Sequence, residues 1–183
     1  MTITINRRFL IGVLAMGVLV LGGLLLNSAW LKASQAAPAT PEQVATEFVR
    51  AYYTVDYRDQ QAWLGRLQPL MTESGFALIK TQLAPVIWKT VAPAKFTNSP
   101  DQIDAQAAGL AVEGQSQLPE TRAWQIQRVQ ISLRPEARWP SMTSDTALVN
   151  VLLERAQAGG DWKVVTTLSD QSVELFKQRG ASQ

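Results

Sequence analysis

From Phe9 to Leu26 the chain carries no polar or charged side chain. Such a run must close its own backbone hydrogen bonds and turn its side chains to lipid. The pattern predicts a transmembrane helix over residues 9–31, about 35 Å long at about 1.5 Å rise per residue, against a hydrocarbon core of about 30 Å. Arg7 and Arg8 before it, and Trp30 and Leu31 with Lys32 after it, form the flanks of an anchor whose amino terminus, residues 1–8, stays cytoplasmic. Residues 32–40 then read as a linker, and 41–180 as an extracytoplasmic domain. The competing reading is a signal peptide cleaved near Ala36. Its apolar core would be about 7–15 residues, shorter than this run. A twin-arginine export signal fits less well, because Phe9 follows the arginine pair directly.

Beyond the linker the period first becomes helical. Thr40, Pro41 and Gln43 form a capping box, and Ala45, Phe48, Val49, Tyr52 and Tyr53 share one face. Asp59 can cap a second helix carrying Trp63, Leu64, Leu67 and Leu70, which Pro69 should end. Thr72-Glu73-Ser74-Gly75 opens a third, with Phe76, Ile79, Leu83, Val86 and Ile87 along one side and Pro85 expected to stop or kink it. After Pro100 the period drops to two. A strand runs from Ile103 to Val112 with a phase slip at Gly109, and a second runs from Trp124 to Leu133 with a slip around Gln127 and Arg128. Val149 to Leu153, a turn at Ala158 to Asp161, and Trp162 to Leu168 complete a meander, and a short helix through Val173 and Phe176 closes the chain. The expected fold is α+β, with three helices packed on one face of a curved four-stranded antiparallel sheet.

Composition narrows the chemistry. The chain has 183 residues, a formal charge of +2, no cysteine and no histidine. Disulfides, thiolate nucleophiles and Ser-His-Asp, Cys-His or His-zinc chemistry are therefore excluded. Lysine and arginine are scattered, which leaves no electrostatic footprint for nucleic acid. No Gly-rich phosphate loop, metal-ligand spacing or nucleophile elbow is present, so no cofactor is expected.

The helix through Phe48, Val49, Arg50, Tyr52 and Tyr53, the helix around Trp63, Leu64 and Leu67, and the closing run Gly160-Asp161-Trp162-Lys163-Val164 together resemble the nuclear-transport-factor-2-like (cystatin-like) superfamily. With the single span, the chain resembles its membrane-anchored members: inner-membrane assembly subunits of type IV secretion, the TcpC family of conjugative transposons, and actinobacterial Mce-associated membrane proteins. The resemblance implies a cone-shaped domain whose sheet wraps its helices and which serves as a scaffold beside a secretion channel. In the same superfamily the cone can instead hold a ligand or an active site.

Candidate site residues follow from both readings. Tyr52, Tyr53, Asp56, Tyr57, Arg58 and Asp59 form the densest polar cluster, and as a site they would offer a carboxylate base among phenol hydrogen bonds. Each also has a structural role, as a helix residue, turn former or cap. Trp63, Trp88, Trp124 and Trp162 fit the apolar periods as core, whereas Trp139, between Arg138 and Pro140, fits none and reads as a contact residue. Glu154-Arg155 reads as a solvated pair. The expected function is a non-enzymatic, single-pass scaffold that self-associates or joins other membrane-complex subunits. The alternative is a small-molecule binder or histidine-free enzyme, which requires an inward carboxylate, Asp56 or Asp104, in an apolar pocket.

Overall fold

A computed structural model describes residues 39–116, 122–156 and 160–180. The chain divides into two units, Met1–Ala37 and Pro38–Gln183. The expected anchor residues Arg7, Arg8, Phe9, Leu26, Trp30 and Leu31 lie outside the described residues, as do three positions of the expected turn at residues 158–161 or its edge, residues 157–159. Among the described residues no helix is long and apolar enough to cross a membrane.

The second unit is α+β. Helix α1 spans Pro41–Tyr53, and its capping box is formed: the Gln43 N–H donates to Thr40 Oγ1 at 3.3 Å and the Thr40 N–H donates to Gln43 Oε1 at 2.9 Å. A two-residue strand β1, Val55–Asp56, leads to helix α2, Gln60–Leu67, where Asp59 Oδ1 accepts from the Ala62 N–H at 2.8 Å. A 3-10 turn at Gln68–Leu70 follows. Helix α3, Glu73–Leu78, a π-turn, Ile79–Leu83, and helix α4, Ala84–Ala94, then run end to end.

Pro85 therefore does not end the third helix. The Ala84 N–H reaches back five residues to the Ile79 carbonyl, and in that wider turn the proline ring, which has no N–H to place, meets no displaced hydrogen bond. The helix stops instead at Lys95, in the left-handed region at φ 54°. Strand β2, Thr97–Asn98, returns to pair antiparallel with β1.

Strands β3 (Ile103–Ser116), β4 (Arg122–Leu133), β5 (Thr146–Arg155) and β6 (Lys163–Leu168) form a four-stranded antiparallel meander in that order. The slip at Gly109 is a break in the β3–β4 register between Ala107 and Val112, and Gly109 takes φ +92°. The slip expected in β4 is absent: its register against β5 runs unbroken from Ala123 to Ser132. Its apolar pattern looked out of step because β4 is covered on both faces. Gln127, Val129 and Ile131 are fully buried on one, and Ile126 on the other.

Helices accordingly pack on both faces rather than on one. On the inner face α1 touches all four strands and buries Ala45, Phe48 and Val49 against Val129, Ile131, Val151 and Leu153. Each of the larger side chains contributes about 1.5–3 kcal/mol on burial. On the outer face lies α5, Asp170–Gly180, whose Phe176 ring packs 5.3 Å from Trp124. There Ile126 and Val173 are fully buried, apart from the main core.

The chain entering α3 covers the free edge of β6 at Val164. The Thr72 N–H donates to the Val164 carbonyl at 2.9 Å, and Met71 bridges Val164 in parallel. A Cβ on Gly75 would lie 2.2 Å from the Val165 carbonyl oxygen, so this contact requires glycine. Gly75→Ala should therefore lose about 1–3 kcal/mol through forced backbone displacement. Gly65→Ala, in α2 with nothing within 4 Å of the new Cβ, should gain about 0.5–1 kcal/mol. Urea denaturation of the two variants checks this, and equal effects would refute the close approach of α3 to β6.

Candidate functional site

The expected cluster lies where α1 gives way to β1. Tyr52 and Tyr53 end the helix, and their rings meet Trp139 at 5.2 and 4.7 Å. Trp63 lies 5.5 Å from Tyr52 and 5.3 Å from Trp88. Buried indole N–H groups need acceptors. The Trp63 indole donates to the Tyr52 carbonyl at 2.8 Å and the Trp88 indole to the Tyr57 carbonyl at 3.2 Å, so the aromatic seam also closes the backbone that follows α1.

Asn98, 2% exposed, holds the loop carrying Trp139 onto this seam. Its Nδ2 donates to the carbonyls of Tyr53 at 3.3 Å and Arg138 at 2.6 Å, and its Oδ1 accepts from the Arg138 N–H at 3.1 Å. Trp139, read from the sequence as a contact residue, is 6% exposed. It joins the core because this loop folds inward, a long-range event that no local period records.

Phe48, Val49, Tyr52, Tyr53, Trp139 and Val149 surround a hollow of about 110 Å³. Ligand pockets run to about 300–1,000 Å³, so this space suits water rather than an organic ligand. Burial pushes the Tyr52 phenol up to about 12, with Tyr53 beside it adding to the rise, and burial raises Tyr53 as well. Both stay protonated at neutral pH.

Asp56 does not face the hollow. Its carboxylate is 36% exposed and accepts from Arg58 Nε at 2.8 Å and Nη2 at 2.6 Å, a bidentate pair. The Arg58 side-chain hydrogen bonds, helped by its backbone N–H, lower Asp56 to about 2. A carboxylate held that low is a poor proton acceptor at neutral pH. Arg58 also stands over the half-buried Tyr57 ring at 5.6 Å. Asp104, the other expected inward carboxylate, is exposed on β3 and accepts from Gln106 Nε2 at 3.0 Å. Among the described residues no group of His, Cys, Asp and Glu is placed to hold a metal ion.

Sequence reasoning missed two features. Leu78, Leu83 and Val86 are 38, 37 and 62% exposed along α3, the π-turn and α4, although the helical period puts Leu83 and Val86 on one side with Phe76 and Ile79. The π-turn adds a residue to the helical turn and so rotates Leu83 and Val86 away from the side that Phe76 and Ile79 share. Arg155 is the second. It forms no pair with Glu154, since neighbours on a strand point to opposite faces; its guanidinium stacks over Trp162 at 4.8 Å.

No family model and no curated protein matches the chain. A solved structure, "Structure of a periplasmic fragment of TraM", is similar at 14% identity with a TM-score of 0.45, covering 68% of this chain and 90% of that one. A likeness of that extent carries no argument for this chain.

The Asp56 pair is open to a direct check. Its folded pKa lies below the ordinary 3.8, so its contribution to stability is complete above about pH 4 and is lost as the pH falls through about 2. Carboxyl NMR shifts of Asp56 should titrate with a midpoint near 2, and in Arg58→Ala the midpoint should rise towards 3.8. An unchanged midpoint in the variant would show that Arg58 is not the cause.

Proposed function

We propose that the chain is a non-enzymatic, single-pass membrane protein whose extracytoplasmic domain works by binding other proteins: copies of itself or other subunits of a membrane complex. The domain is read as a membrane-anchored member of the nuclear-transport-factor-2-like superfamily, and the complex as a bacterial conjugation or secretion assembly. The order of helices followed by an antiparallel meander wrapped on α1 supports the superfamily reading. The apolar run Phe9 to Leu26 with Arg7 and Arg8 before it supports the anchor and its orientation.

The observation that carries the binding role is the exposed row Leu78, Leu83 and Val86. Large aliphatic side chains aligned on one helix lose free energy in water and gain it under a partner. A π-turn inside a helix is frequently found at functional sites. The alternative reading, a ligand held inside the fold, has less support, because Trp63, Phe48 and Leu67 fill the space between helices and sheet.

The chain has no cysteine, so Val86→Cys introduces a single thiol. A short thiol cross-linker applied to membranes containing this variant should yield a discrete adduct of the full-length protein. Leu83→Asp combined with Val86→Asp should abolish partner co-purification in mild detergent while leaving the melting temperature nearly unchanged. A strictly monomeric, partner-free wild type in mild detergent would overturn the binding role. Release of the protein by alkaline carbonate would overturn the anchor.

A further inference from the structure

A cavity of about 440 Å³ opens at the end of the sheet where α1 begins, walled by Pro41, Glu113, Trp124, Gln125, Arg155 and Trp162. The strand register builds it. Gln125 stands opposite both Glu113 and Leu153, and Ala123 opposite Arg155, so Glu113, Gln125 and Arg155 share the sheet face that α1 covers. The Trp124 ring stands on the opposite face of the sheet, against Phe176, where a Cβ on Gly114 would sit 2.2 Å from it, so the rim of the cavity at this position is the β4 backbone.

Two opposite charges enter this space without neutralising each other. Among the described residues no ion pair joins Glu113 to Arg155. Glu113 accepts from the Gln125 side-chain amide. Arg155 stacks on Trp162, and its Nε is buried with no hydrogen-bond partner among the described residues. A buried N–H without an acceptor costs free energy that an incoming oxyanion recovers, and the guanidinium fork fits carboxylate or phosphate oxygens two at a time. A simple anion would meet the Glu113 charge, and a simple cation the Arg155 charge. A molecule bearing both charges satisfies both.

We propose that this cavity binds a zwitterion of headgroup size, an ammonium joined by a short link to a phosphate or carboxylate, with the oxyanion on Arg155 and the ammonium on Glu113. The volume falls in the range of about 300–1,000 Å³ typical of small-molecule sites. Phosphoethanolamine has this chemistry whether free or as the headgroup of phosphatidylethanolamine. Because the walls belong wholly to the folded unit, the proposal stands apart from the anchor and from the row on α3 and α4.

The test uses the full chain in detergent micelles, titrated with phosphoethanolamine and followed by calorimetry and tryptophan emission. Saturable binding is expected, with inorganic phosphate and ethanolamine each weaker. Arg155→Gln should weaken phosphoethanolamine by about tenfold or more. Glu113→Gln should weaken phosphoethanolamine while sparing phosphate. Should Arg155→Gln fail to fold, Arg155→Lys, which keeps the charge and loses the fork, and Glu113→Gln carry the test. In lipid nanodiscs, loss of soluble binding in phosphatidylethanolamine but not in phosphatidylglycerol would identify the lipid headgroup as occupant. Retained binding in both would identify a soluble zwitterion. Absence of saturation up to about 10 mM, beyond weak millimolar affinity, would overturn the site. So would phosphate binding as tightly as the zwitterion with Glu113→Gln unchanged.

Discussion

The constraint on which this domain depends is the burial of α1 in the inner face of the sheet. The helix touches every strand of the meander, and Ala45, Phe48 and Val49 lose essentially all contact with water. The register of β3 against β4 breaks around Gly109, a bulge of the kind that bends a strand. The tyrosines at its carboxyl end then set where the β1–β2 pair, Asn98 and the Trp139 loop must lie. These contacts fill the interior between helix and sheet.

Much of this was legible because it is local. The Thr40 capping box, the Asp59 cap and the Gly109 slip each depend on residues within a few positions of one another, and all three are formed. What was not legible depends on partners distant in sequence. Gln127 stands where the apolar alternation slips, yet it is fully buried beside α1, with its Nε2 3.3 Å from Glu42 Oε1. Pro85 looked like a terminator, because the π-turn that absorbs it has no strong sequence mark. Trp139 lay outside every period, and only its loop, pinned by Asn98, explains its burial.

The candidate sites repeat that division. Tyr53, Asp56 and Tyr57 are close in the chain, but the Tyr53 ring turns to Trp139, and Arg58 occupies the carboxylate that chemistry would have needed. Arg155 seemed an ordinary solvated charge until strand alternation separated it from Glu154 and set it across a cavity from Glu113. Residue type alone identifies neither case. The deciding information is which face of the sheet a side chain occupies and what lies opposite.

The sheet has two edges, and they are treated differently. The entrance to α3 bridges β6 at Val164, whereas among the described residues β3 has no strand beyond it and runs fourteen residues, from Ile103 to Ser116. A straight edge of that length invites another chain to add to it. The kink at Gly109 divides it into two short, misaligned stretches. A strand adding along this edge would therefore meet two short registers in place of one long one, which blunts edge-to-edge addition.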